Sequence, residues 1–71
     1  MKIFISADIE GVTGVTTWAS TRYGGKDYEQ ACQQMTREVA AVCKAALEAG
    51  CEVVVKDGHE DAMNIDPFML P

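Results

Sequence analysis

The sequence predicts an α/β fold: one βαβ unit with parallel strands, itself part of a larger α/β domain. Three observations carry that expectation. Two short apolar runs rich in strand-formers, Ile3-Phe4-Ile5 and Val53-Val54-Val55, stand on either side of a long central segment. That segment repeats apolar residues at spacings of three and four, the period of an amphipathic helix. Neither run alternates apolar with polar, which is the pattern of strands covered on both faces of a parallel sheet. Two strands and one helix cannot supply both covers, so further elements are expected around them.

The elements follow in order. Residues 2–8 read as the first strand, ending on Ala7 and Asp8. Residues 9–26 read as an irregular loop holding Gly11, Gly14, Gly24 and Gly25, long enough for a loop of its kind to be functional. Residues 27–49 read as one helix, with Asp27 as N-cap and Gln30 in capping-box position. Its stripe is Ala31, Met35, Val39, Val42, Ala46 and Ala49, widened by Cys32, Cys43 and Leu47. Gly50 follows as the residue that closes a helix in the left-handed conformation. Residues 51–57 read as the second strand, and Gly58 breaks it. Residues 58–71 read as a loop. A βαβ crossover of this kind is right-handed in nearly all cases.

Composition narrows the partners. The chain has 71 residues and a formal net charge of −5, with its six basic residues scattered. Phosphate backbones need clustered Lys and Arg, so no nucleic-acid partner is expected. No apolar run approaches the ~20 residues that span a bilayer, so no membrane partner is expected. The start lacks the apolar stretch and cleavage site of an export signal, which favours the cytoplasm. Cys32, Cys43 and Cys51 are odd in number and form no CxxC pair, as suits reduced, packed thiols better than a disulfide framework.

The chemistry gathers at the strand ends. In open α/β sheets ligands bind at the carboxyl ends of strands. Here those ends carry Asp8-Ile9-Glu10 and Asp57-Gly58-His59-Glu60-Asp61. Neighbouring strands lie about 4.8 Å apart, which puts the two groups side by side. If the extended geometry runs through residue 10, Asp8 and Glu10 project to one side. Two carboxylates so close repel unless a cation lies between them. Carboxylates with an imidazole suit Zn²⁺ or another divalent transition ion. Gly11-Val12-Thr13-Gly14-Val15 resembles a phosphate-binding loop faintly, but it fits neither GxGxxG nor the P-loop and no Walker lysine follows. Trp18, Tyr23 and Tyr28 are expected to pack at the loop base, or else to line a substrate pocket. Asp57 and Asn64 are candidates for fixing the loop that carries His59.

Three segments, in this order, resemble the DppA-type zinc-dependent D-aminopeptidase family. They are Lys2 to Val15, including Ser6-Ala7-Asp8-Ile9-Glu10-Gly11-Val12-Thr13-Gly14; the helix start from Tyr28 to Glu38; and Val54 to Asn64, including Asp57-Gly58-His59. The resemblance implies the N-terminal part of a larger α/β metallopeptidase domain with two zinc ions per complete subunit. It implies Asp8, Glu10 and His59 as metal ligands, with Asp8 contacting both ions. Further ligands and a catalytic histidine come later in such proteins, so no catalytic residue is expected within residues 1–71, and the segment alone is expected to be inactive. The implied substrate is a short peptide with an N-terminal D-amino acid, and the implied assembly is a homo-oligomer, a pentamer stacked as a decamer. Two other readings stand beside this one: a standalone metal- or partner-binding βαβ module, and a phosphate- or nucleotide-binding α/β protein with Mg²⁺ on Asp8.

Overall fold

The computed structural model describes residues 1–60 and 62–71. Asp61, one of the acids grouped at the end of the second strand, lies outside the described residues. Strand β1 runs Lys2–Ala7 and strand β2 runs Glu52–Asp57, and they pair in parallel from Lys2↔Glu52 to Ala7↔Asp57. Helix α1, Tyr28–Glu48, crosses between them, giving the βαβ unit that the apolar runs predict. The loop between β1 and α1 is more ordered than its glycines suggest. It contains two short 3₁₀ turns, Ile9–Gly11 and Ala19–Thr21. A third, Pro67–Met69, follows β2 and is capped by the Asp66 side chain, which accepts from the Phe68 N–H. No helix among the described residues is long and apolar enough to cross a membrane.

The helix ends differ. At the C-terminus Gly50 has φ 81°, the Cys51 N–H bonds the Ala46 carbonyl, and the Gly50 N–H bonds the Leu47 carbonyl. This double bond to the last turn satisfies two orphan carbonyls, as the sequence predicts. At the N-terminus the expected capping box is absent. Asp27 occupies the N-cap position, but it sits in the left-handed region (φ 64°) and its side chain makes no capping bond. The turn from Gly25, whose carbonyl accepts the Tyr28 N–H, delivers the chain to the helix instead.

The core lies between α1 and the loop after β1. Ile9, Val12, Tyr28, Ala31 and Met35 form it, with Ala7, Val15, Cys32 and Ile65 packed against them. Farther along the helix, Val39, Cys43 and Ala46 are buried. The expected stripe is thus rotated in its second half: Cys43 is central, whereas Val42 is 51% exposed and Ala49 is exposed. Cys32, Cys43 and Cys51 are not joined in disulfides.

The strands alternate in burial, unlike strands covered on both faces. Ile3, Ile5, Val53 and Val55 are half-buried, while Phe4 and Val54, paired in register on the opposite face, are exposed. One helix covers one face, and that is the physical reason for the alternation.

Candidate metal centre

Register builds the site. Because Ala7 pairs with Asp57, the two chains leave the sheet together, and the Gly58 N–H bonds the Ala7 carbonyl at 2.7 Å. A Cβ on residue 58 would stand 3.1 Å from that carbonyl oxygen, so glycine permits the close approach. Asp8 remains extended (φ −138°, ψ 138°), but the chain then bends into the Ile9–Gly11 turn. The expectation that extended geometry continues through Glu10 fails here. The cause is Ile9, which is driven completely into the core and pulls the backbone down between the two acids. The 3₁₀ turn nevertheless returns Glu10 to the same side as Asp8.

The three side chains meet. His59 Nδ1 lies 3.1 Å from Asp8 Oδ1 and 3.0 Å from Glu10 Oε1. One donor atom from each residue falls within 4.8 Å of the others. His59 Nε2 lies 2.5 Å from the Thr21 carbonyl oxygen and 3.6 Å from Glu60 Oε1. A carbonyl can only accept, so Nε2 carries the proton and Nδ1 faces the carboxylates. The main chain of His59 is tied as well: its N–H donates to Asp57 and its carbonyl accepts from the Asn64 amide. The His59 side chain is 8% exposed, against 58% for Asp8 and 44% for Glu10. The site is therefore a buried imidazole under a carboxylate pair that opens to solvent.

Charge follows the same geometry. Burial opposes charging the His59 ring, but the bond to Thr21 and the carboxylates of Glu10, Glu60 and Asp8 outweigh it and hold its pKa above the ordinary histidine value. Asp8 stands below the ordinary aspartate value. A hydrogen bond with Glu10 leads the causes, and the His59 charge and the Ile9 amide add to it against desolvation. Carboxylates drawn round one positive point are what a divalent ion would also satisfy. The donor set fits such an ion: two oxygens and a ring nitrogen face one point, with the second ring nitrogen fixed by a backbone carbonyl as metal-ligating histidines usually have it.

The Gly11–Val15 loop forms no phosphate cradle. Four of its five amides are already engaged: Gly11 to Asp8, Val12 to Ile9, Val15 to Val12, and Thr13 to the Glu38 carboxylate at 3.1 Å. No helix begins until Tyr28. Of the three aromatic residues expected to pack at the loop base, only Tyr28 is buried; Tyr23 crosses its ring edge-on at 6.0 Å and is exposed. Trp18 is exposed beside Glu10, where Val15, Thr16, Thr17 and Thr21 complete a shallow cavity of about 310 Å³. Sequence reasoning missed the Thr21 carbonyl, because a main-chain acceptor leaves no mark on residue type.

Comparison with known proteins gives this geometry its context. The family model described as D-aminopeptidase matches residues 1–71. The chain belongs to the D-aminopeptidase family. A D-aminopeptidase of Bacillus subtilis (strain 168) is 33% identical over 66 residues, covering 92% of this chain and 24% of the relative. The chain thus spans about a quarter of the length of the curated relative it matches. No solved structure gives a significant match.

Proposed function

We propose that Asp8, Glu10 and His59 are ligands of a zinc centre in an aminopeptidase that releases N-terminal D-amino acids from short peptides. The observation that carries the reading is the convergence of these three side chains at the adjoining ends of β1 and β2, in a chain of this family. Imidazole among the donors favours zinc over magnesium or calcium, which prefer all-oxygen sites. When bound, the metal supplies Lewis-acid polarisation of the scissile carbonyl and a water nucleophile at neutral pH.

The chain's own residues prepare that chemistry. Thr21 holds the Nε2 proton of His59, so the Nδ1 lone pair is presented to the ion. Asp8 and Glu10 face solvent and bring negative charge to meet the cation and leave a side open to substrate. The finer points of the reading rest on the family resemblance: a second zinc per complete subunit shared through Asp8, further donors and a catalytic histidine outside these residues, and a ring-shaped homo-oligomer.

The test is hydrolysis. The complete zinc-loaded subunit that carries these residues is offered a D-alanyl dipeptide and its L-alanyl counterpart, and free alanine is measured. The reading expects release from the D-peptide, loss on chelation and recovery on adding zinc. Hydrolysis indifferent to chelation, or confined to the L-peptide, would overturn it.

A further inference from the structure

Beside the donors lies a closed polar network that links the end of β2, the loop after it and the start of α1. Asp57 Oδ1 accepts from the His59 N–H at 3.3 Å and from Asn64 Nδ2 at 2.9 Å. Its other oxygen accepts from the N–H groups of Asn64 and Ile65 at 2.7 and 2.8 Å. Asn64 Nδ2 donates a second bond to the His59 carbonyl at 2.8 Å, and Asn64 Oδ1 accepts from the Tyr28 hydroxyl at 2.5 Å. The amide is buried with its oxygen and both of its N–H groups used.

This network encloses a strained turn. Glu60 (φ 48°) and Ala62 (φ 61°) both sit in the left-handed region, which is unfavourable for side-chain-bearing residues. Such conformations persist only where surrounding contacts over-determine them. Here the contacts that do so bind His59 at its N–H and at its carbonyl, while Thr21 holds the far side of its ring. The imidazole is therefore located by three bonds, two of them made by residues that never reach the donor cluster.

We propose that Asp57 and Asn64, braced by Tyr28, are positioning residues that set the place of His59 Nδ1 opposite Asp8 and Glu10 and so tune metal affinity. The proposal rests on reading the cluster as a metal centre. Neither residue touches the ion. Each acts through the backbone of the histidine rather than on its ring, and loss of an outer partner of a metal ligand typically weakens metal binding by about 10–100-fold.

The experiment is zinc affinity by competition with a chromophoric chelator, on the complete subunit that carries these residues, alongside thermal unfolding of the metal-free protein. Asn64→Ala and Asp57→Asn should each weaken zinc by about 10–100-fold. Tyr28→Phe keeps the packed ring and removes the hydroxyl that braces Asn64, so it should weaken zinc by a few-fold and serves where the first two do not fold. Val39→Ala, buried on α1 and outside this hydrogen-bond network, should lower the melting temperature and leave zinc affinity within twofold. If the Asn64, Asp57 and Tyr28 variants bind zinc like the wild type while His59→Ala loses it, the positioning role is wrong and the metal centre stands. If Val39→Ala weakens zinc as much as they do, the effect is general destabilisation and the positioning role is again wrong. If the wild type itself retains no zinc, the metal reading and the inference fall together.

Discussion

Replacing Ile9 by alanine tests the physical link between core and site. Ile9 is completely buried against Val12, Tyr28, Ala31 and Met35, yet its neighbours in sequence are Asp8 and Glu10. The substitution removes three carbons, each worth about 0.8 kcal/mol of burial, or about 2.4 kcal/mol in all. A residual void of roughly 60 Å³, at about 24 cal/mol per Å³, adds about 1.4 kcal/mol. The sum, near 4 kcal/mol, lies within the ~2–5 kcal/mol seen for such truncations. Against a typical total of ~5–15 kcal/mol that is a large fraction. Urea denaturation of the full chain reads it as a shift in midpoint at constant slope. Ile9→Val should cost about 0.5–1.5 kcal/mol. Lys44→Ala, on the exposed side of α1, should stay within about 0.5 kcal/mol of zero. If Ile9→Ala costs no more than Lys44→Ala, the turn between the acids is not anchored by the core and the account of the site's geometry is wrong.

Two further predictions come from the loops. Burial raises the Asp57 carboxyl, but bonds from Asn64, Ile65 and His59 outweigh it and hold its pKa below the ordinary value. A group depressed on folding adds stability above its unfolded pKa, ~3.9, and loses it as pH falls through the folded value. The wild type should therefore lose stability in that acid window, and Asp57→Asn should be less stable at neutral pH with a flatter acid limb, as followed by circular dichroism. A Cβ on residue 25 would overlap the Ala19 carbonyl oxygen, so Gly25→Ala should destabilise by more than ~1 kcal/mol, read as a lowered melting temperature. An unchanged melting temperature would mean that the loop after β1 does not hold the turn described.

The parts of this fold that were legible in the sequence are those with a local cause. Three valines in a row make a strand, a three-and-four repeat makes a helix, and Gly50 ends it because few other residues accept its backbone angles. The convergence of Asp8, Glu10 and His59 was legible because strand ends are neighbours in a parallel pair. What escaped depended on distant contacts. Asp27 fits the composition of an N-cap, but its backbone is left-handed and its carboxylate makes no capping bond. Extended geometry carried through residue 10 would place Glu10 by strand period alone, whereas burial of Ile9 bends the chain first. Val42 belongs to an apolar stripe by spacing, but the side of α1 that packs against the rest of the fold buries Cys43 in its place.

The central claim is that one metal ion binds between these three side chains, and anomalous diffraction at the zinc edge from crystals of the zinc-loaded full chain tests it directly. The account predicts a peak about 2.0–2.2 Å from a carboxylate oxygen of Asp8, from one of Glu10 and from His59 Nδ1, with Nε2 still bonded to the Thr21 carbonyl. A peak on Nε2, a peak elsewhere on the chain, or no peak at these residues would contradict it.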